Sequence, residues 1–202
     1  MTVNEKYGIV ASRESLQKAA AALEANGMQA ILVESGEAAK RKLLELIPKG
    51  ARVMTMTSVT LDTLGVTREI NESGNYKPVR EDLAHAQGAQ KRELGAAPDW
   101  AVGSVHAVTE SGEVLLASAT GSQLPAYAYG AERSVWVVGG QKVVPNLDEG
   151  FRRIYEYSLP LEDERARKVY GMGSGINKLL IVNKEVSRNR ITVILVNEKL
   201  GF

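Results

Sequence analysis

At 202 residues, 44% apolar and 24% charged, with a formal net charge of +1, the chain has the make-up of one globular domain with room for a sizeable core. The near-neutral balance, the lack of any run of five like charges and an aromatic content of 5% exclude a basic or base-stacking nucleic-acid surface. With no cysteine and only His85 and His106, disulfides, thiolate nucleophiles and iron–sulfur ligation by this chain are excluded, and the histidines are too few for an ordinary zinc site.

The opening MTVNEKYGIV shows no charged segment ahead of a long apolar run, and no stretch of 18 apolar residues occurs, so the expectation is a cytosolic protein without membrane insertion. Ser12 as N-cap, the spacing of Leu16, Ala19, Ala20 and Leu23, and the stop at Asn26-Gly27 predict a first helix. A short strand follows at Ala30–Val33. A second helix is opened by Ser35-Gly36, carries Leu43, Leu44 and Ile47, and stops at Pro48-Lys49-Gly50; a strand follows at Ala51–Met56. This alternation predicts an α/β fold with a central, mainly parallel sheet flanked by helices.

From 66 to 100 the sequence is polar and charged, with one helical candidate over Arg80–Leu94, and reads as a mobile insertion or a solvated surface helix within a single domain spanning 1–202. The strand signal returns as a continuous run over Ala101–Val108, a Ser111-Gly112 turn and a strand over Glu113–Ala117, a pair suited to a hairpin. Ser134–Val138 has the unbroken apolar character of a buried central strand. Asn146 with Glu149 resembles a capping box and starts a helix with Leu147, Phe151, Ile154 and Tyr155. Leu179–Val182 and Ile191–Val196 predict two closing strands.

Three strand exits draw attention. The first carries Thr57, Ser58 and Thr60. The second carries Thr120, Gly121 and Ser122, with Pro125 in the first turn of a following helix, and the third carries Gly140 and Lys142. In a parallel sheet all three lie at the carboxyl edge, where open α/β folds bind ligands, and hydroxyls with free amides at helix starts suit a small anionic ligand. The same residue types are also the preferred purely structural caps. Gly171–Gly175 has the look of a phosphate loop but leads into a strand, the reverse of the dinucleotide order; it is read as a loop with Asn177 and Lys178 at its edge. Glu110, beside a turn, is a candidate nucleophile or base, and Lys142 a candidate catalytic cation. His106, on an apolar strand, is read as a satisfied core histidine.

The stretches TSVTLDTLGV, VGSVHAVTESGEVLLASATGSQLPAYAYGAE, VWVVGGQKVVPNLDEGFRRI, LPLEDERARKVYG and RITVILVNEKLGF resemble the LUD-domain family, the relatives of the lactate-utilisation C protein. The resemblance implies a fold similar to the ribose-phosphate isomerase, glucosamine-phosphate deaminase and CoA-transferase group. It also implies a bacterial cytosolic role in the oxidation of lactate to pyruvate, with iron–sulfur oxidoreductase proteins as electron-carrying partners. It places ligand contacts at Thr57, Ser58, Thr60, Thr120, Gly121 and Ser122, and makes Glu110 a counterpart of the transferases' catalytic glutamate. Some relatives carry a cysteine-rich segment where this chain reads VYGMGSGINKLLIVNK, so no metal or iron–sulfur cluster is expected here and the cofactor is left open. Three functions follow: an accessory protein of lactate or organic-acid utilisation with an anion pocket, a stand-alone isomerase or acyl/CoA-transferase, or a pure interaction subunit.

Overall fold

The computed structural model describes residues 2–202. Ser12 accepts the amide of Ser15 at 3.1 Å and opens α1 (Arg13–Ala25), whose Leu16, Ala19 and Leu23 are buried. Strand β1 (Gln29–Val33) follows, and the Ser35 hydroxyl, accepting the Ala38 amide, opens α2 (Gly36–Leu46). Then come β2 (Arg52–Thr55), α3 (Val59–Thr63), α4 (Val66–Glu72) and a two-residue β3 (Lys77–Pro78). Helices α5 (Val79–His85) and α6 (Gly88–Ala96) lead to β4 (Trp100–Gly103), β5 (Ala107–Thr109) and β6 (Val114–Ser118). After β7 (Arg133–Gly139) and β8 (Val143–Val144), α7 (Leu147–Arg153) runs through a widened π-helical turn at Ile154–Ser158 into α8 (Leu159–Tyr170). Strands β9 (Lys178–Val182) and β10 (Ile191–Val196) complete the fold.

Six strands form one parallel sheet in the order β1-β10-β7-β4-β2-β3. This is the α/β architecture that the alternation of elements predicts. The strand period of two divides the core. Val135, Val137, Ile194 and Val196 face α2, α3 and α4 on one side, whereas Trp136, Val138, Val193 and Leu195 face α1 and a second sheet on the other. That second sheet has the order β8-β5-β6-β9, with β6 antiparallel to both its neighbours.

Three expectations are corrected by this arrangement. The apolar run over Ala101–Val108 is two strands in two sheets, because the chain leaves the parallel sheet at Ser104-Val105-His106 and crosses to the smaller one. The strand ending at Thr120-Gly121-Ser122 belongs to the smaller sheet, so only two of the three exits leave the parallel sheet. The helix expected over Arg80–Leu94 is two helices, broken before Gly88 at φ +56°, a backbone state that favours glycine. The polar stretch they belong to also holds Val66, Ile70 and Val79, all fully buried, so its first half is part of the core; α6 alone buries no residue.

Candidate functional site

The chain passes from the parallel sheet to the smaller sheet twice at neighbouring strands, at Ser104–His106 after β4 and at Gly140–Lys142 after β7. Together with the exit of β2, these crossings form the floor of a cleft of about 590 Å³ at the carboxyl edge of the parallel sheet. That volume is within the range of small-molecule sites. The end of β6 and helix α6 wall one side, and the continuous α7–α8 helix closes another.

Lys142 is the centre of the floor. Its side chain is 2% exposed, and Nζ donates to Thr60 Oγ1 at 3.1 Å and Ser104 Oγ at 3.0 Å. Among the described residues no carboxylate lies within 4.0 Å of Nζ. Burial, and then the charge of Arg153, hold its pKa well below the ordinary lysine value.

Arg153 is fully buried behind this floor. Its Nε donates to the Gln141 carbonyl at 3.0 Å, and one terminal nitrogen donates to the His106 carbonyl and, at 3.0 Å, to Ser158 Oγ. One side chain therefore ties both crossings together. The π-helical turn brings Ser158 within reach at a spacing of five residues. Burial lowers the Arg153 pKa to about 10, no carboxylate pairs with it, and its other terminal nitrogen has no hydrogen-bond partner.

His106 stands half-buried in the cleft wall. Its Nδ1 accepts the Ala117 amide at 3.1 Å, which assigns the proton of the neutral ring to Nε2. Burial, then the charges of Lys142 and Arg153, push its pKa down to about 3. The expected satisfied histidine is thus satisfied on one nitrogen while lining the cleft.

The remaining lining is rich in cations. Arg80 donates to the Thr55 carbonyl at 2.8 Å and to Thr57 Oγ1 at 3.0 Å, and α6 contributes Lys91 and Arg92. None of these three has a carboxylate within 4.0 Å among the described residues. Arg165 is neutralised by a two-pronged pair with Glu162, both contacts at 2.7 Å, and Asp62 accepts the Thr67 hydroxyl. The lining therefore carries five basic side chains against two carboxylate side chains.

Of the residues singled out in the sequence, Thr57, Ser58, Thr60, Thr120, Ser122 and Lys142 line this one cleft. Their hydroxyls are largely committed within the protein. Ser58 accepts the Leu61 amide, Thr60 donates to the Leu200 carbonyl, and Thr120 accepts the Ser122 amide. The Gly121 amide goes to Ser118 Oγ at 2.8 Å, so the Thr120–Ser122 turn is self-capped rather than an open cradle. Asn177 and Lys178, at the start of β9, bind the Ala119 and Thr120 carbonyls, with Gly121 packed on the Lys178 stem, and Gly140 is packed against Val10 and Leu16 away from the cleft. Glu110 is elsewhere, at the β5–β6 turn, 3.9 Å from Lys18 of α1. Sequence reasoning passed over Arg80, Ser104, Ser118 and Arg153. A signal for Arg153 exists, because it shares the i, i+3, i+4, i+7 face of Gly150, Ile154 and Tyr157, where an arginine is out of place.

Gly103 admits no side chain. A Cβ there would lie 1.7 Å from Tyr127 Oη and 3.2 Å from Met56 Cβ. Tyr127 is held edge-on against Trp136 at 5.4 Å and 82°, so it has little room to yield. Gly103→Ala should cost about 2–3 kcal/mol by overpacking. Tyr127→Phe alone should be close to neutral, since Oη has no partner. The double variant should be more stable than the sum of the two changes predicts, although ring carbon Cζ still lies 3.0 Å away. Urea titrations of the four proteins check this, and simple additivity would contradict the assigned contact.

Among the described residues no three His, Asp or Glu side chains converge as metal ligands, and no helix is long and apolar enough to cross a membrane. A solved structure of a DUF162-family protein from Deinococcus radiodurans is similar with a TM-score of 0.59, covering 92% of this chain and 99% of that one at 13% identity, a likeness of fold. No curated protein matches. The family model described as the LUD domain matches residues 16–196, and the chain accordingly belongs to the LUD-domain family.

Proposed function

We propose that the chain binds a small organic anion, a carboxylate or a phosphate ester, in the cleft between its two sheets, and that it serves the lactate and organic-acid utilisation associated with its family. One observation carries this reading: Arg80, Lys91 and Arg92 line a single cleft and, among the described residues, none of them has a carboxylate within 4.0 Å, while the carboxylate side chains of the lining are Asp62 and the Arg165-paired Glu162. Buried or clustered cations are normally paired, and a surplus at the carboxyl edge of a parallel sheet suits an anionic ligand. The cleft has far more room than a three-carbon acid requires, so a larger carboxylate or a CoA-linked acid belongs in the search. The position of Glu110 outside the cleft gives no support to a transferase mechanism through that residue. A chain without cysteine holds no thiolate-bound cluster, so in lactate oxidation the electrons would pass to a partner such as an iron–sulfur oxidoreductase in the bacterial cytoplasm.

The test is a thermal-shift panel of L-lactate, pyruvate, inorganic phosphate, CoA, acyl-CoAs and sugar phosphates, with sulfate as control. A ligand at about 100 times its dissociation constant adds roughly 2.7 kcal/mol of stability. The expected result is a selective shift that shrinks with added salt and is lost in Arg80→Gln. A flat panel from folded protein overturns the reading and favours a docking subunit.

A further inference from the structure

Resting on the anion reading, we propose that Lys142 is a covalent catalytic residue, an amine that captures the carbonyl carbon of an oxo acid or aldehyde whose anionic group is held by the cationic rim. The hydrogen-bond geometry at Nζ carries the argument. The Thr60 hydroxyl donates its proton to the Leu200 carbonyl at 3.2 Å, so towards Lys142 it is an acceptor and takes one N–H. Ser104 Oγ, at 3.0 Å, takes a second. A neutral amine has two N–H groups and one lone pair, so these two hydroxyls satisfy it and leave the lone pair uncommitted. An ammonium would leave its third N–H without a partner and its charge without a counter-ion, in a side chain that is 2% exposed. The fixed charge of Arg153 behind the floor acts in the same direction. A desolvated lysine beside another cation is the recognised way to hold a nucleophilic amine at neutral pH.

The step is a condensation in which no electrons are exchanged. The nitrogen lone pair forms a C–N bond while the carbonyl π pair moves to oxygen. A proton passes from nitrogen to that oxygen, giving a carbinolamine. The nitrogen lone pair then expels the hydroxyl, which leaves as water with the second nitrogen proton. Ketone or aldehyde plus amine becomes imine plus water, and the reverse reaction releases the carbonyl compound. His106, with its Nε2 proton, lines the same cleft and can donate a hydrogen bond to the carbonyl oxygen. Arg80, Lys91 and Arg92 are the groups available for the anionic end.

The experiment is borohydride trapping on the full chain. Pyruvate, 2-oxoglutarate and glyceraldehyde 3-phosphate are each incubated with the protein, reduced with sodium borohydride, and the product is read by intact mass and peptide mapping. An exposed lysine with a pKa near 10.4 presents roughly one neutral amine in a thousand or fewer at neutral pH. Labelling of Lys142 should therefore exceed that of any exposed lysine by at least about tenfold with one of the three probes. L-lactate, which has no ketone or aldehyde carbon to condense with an amine, should reduce that labelling by competition if it shares the anion site. Lys142→Met should lose the adduct. Should that variant fail to fold, the peptide map of the wild-type chain still locates the adduct. Adducts spread over surface lysines, or none on Lys142 with any probe, overturn the proposal. If the thermal-shift panel nevertheless shows anion binding, the anion reading stands with Lys142 as a hydrogen-bond donor only; if both fail, both readings fall.

Discussion

Replacing Arg153 with Met should destabilise the protein by about 3–5 kcal/mol, because it leaves several buried acceptors without a donor. The guanidinium supplies hydrogen bonds to the buried Gln141 carbonyl and Ser158 Oγ and to the part-buried His106 carbonyl. Each buried acceptor left alone costs about 1–3 kcal/mol. Against this stands the relief of removing a buried charge that no carboxylate pairs and whose second terminal nitrogen already lacks a partner. The accounting favours loss, since three groups are orphaned and one is relieved. Arg153→Lys should recover only part of it, because one ammonium cannot reach three acceptors that a planar fork spans. Urea denaturation of the three proteins measures the outcome. Unchanged or raised stability in Arg153→Met would mean that the two crossings hold each other without the arginine, and that its charge serves the cleft rather than the fold.

The parallel sheet was legible in the sequence for a physical reason. Helices α1 and α2 and the strands around them repeat their apolar residues at helix and strand periods, and Ser12, Ser35 and Asn146 cap where the pattern starts, each accepting an amide three residues on. What local pattern does not carry is the partner of a strand. Ala101–Val108 is apolar throughout because both of its halves are buried, yet they are buried in different sheets, and periodicity cannot register a crossing of three residues at Ser104–His106. The same holds for β6, whose run of buried residues suits an antiparallel strand covered on both faces as well as a parallel one. In the stretch from 66 to 100, Val66, Ile70 and Val79 are too widely spaced among charges to announce a core, although each lands in one.

The candidate site was legible as a place and less so as chemistry. The hydroxyl-rich exits do reach one cleft, but Ser58, Thr60 and Thr120 spend their hydrogen bonds on the backbone around them, and Ser118 takes the Gly121 amide. Capping and ligand binding ask for the same residues, so the letters alone cannot divide them. The unbalanced cations come from four separate segments, at Arg80, Lys91–Arg92, Lys142 and Arg153. Their common feature is the missing carboxylate, which is a fact of three dimensions.

Lowering the pH should expose the cost of the site directly. Below pH 6.5 the unfolded chain protonates His106, whereas the folded chain keeps it neutral until about pH 3, held down by burial and by Lys142 and Arg153. Between those values the unfolded state binds more protons, so stability falls as pH falls, and the loss is complete below pH 3. With about 1.36 kcal/mol for each tenfold change, the full loss is on the order of 4–5 kcal/mol, of which about 3 kcal/mol falls between pH 7 and pH 4. His106→Gln removes the titration and keeps an oxygen able to accept the Ala117 amide. Chemical denaturation at a series of pH values should show the wild-type curve dropping away from that of the variant by about this amount, while carboxylate titrations common to both cancel in the difference. Parallel curves would mean that His106 takes up its proton at an ordinary pH, so that burial, together with the Lys142 and Arg153 charges, does not keep the ring neutral. An anion bound between Lys142 and the rim should shield His106 from those charges, raise its folded pKa, and bring the two curves together. The depressed pKa values of Lys142 and His106 and the unpaired rim cations all fit the proposed anion, which would bring negative charge to a lining that holds more basic than carboxylate side chains.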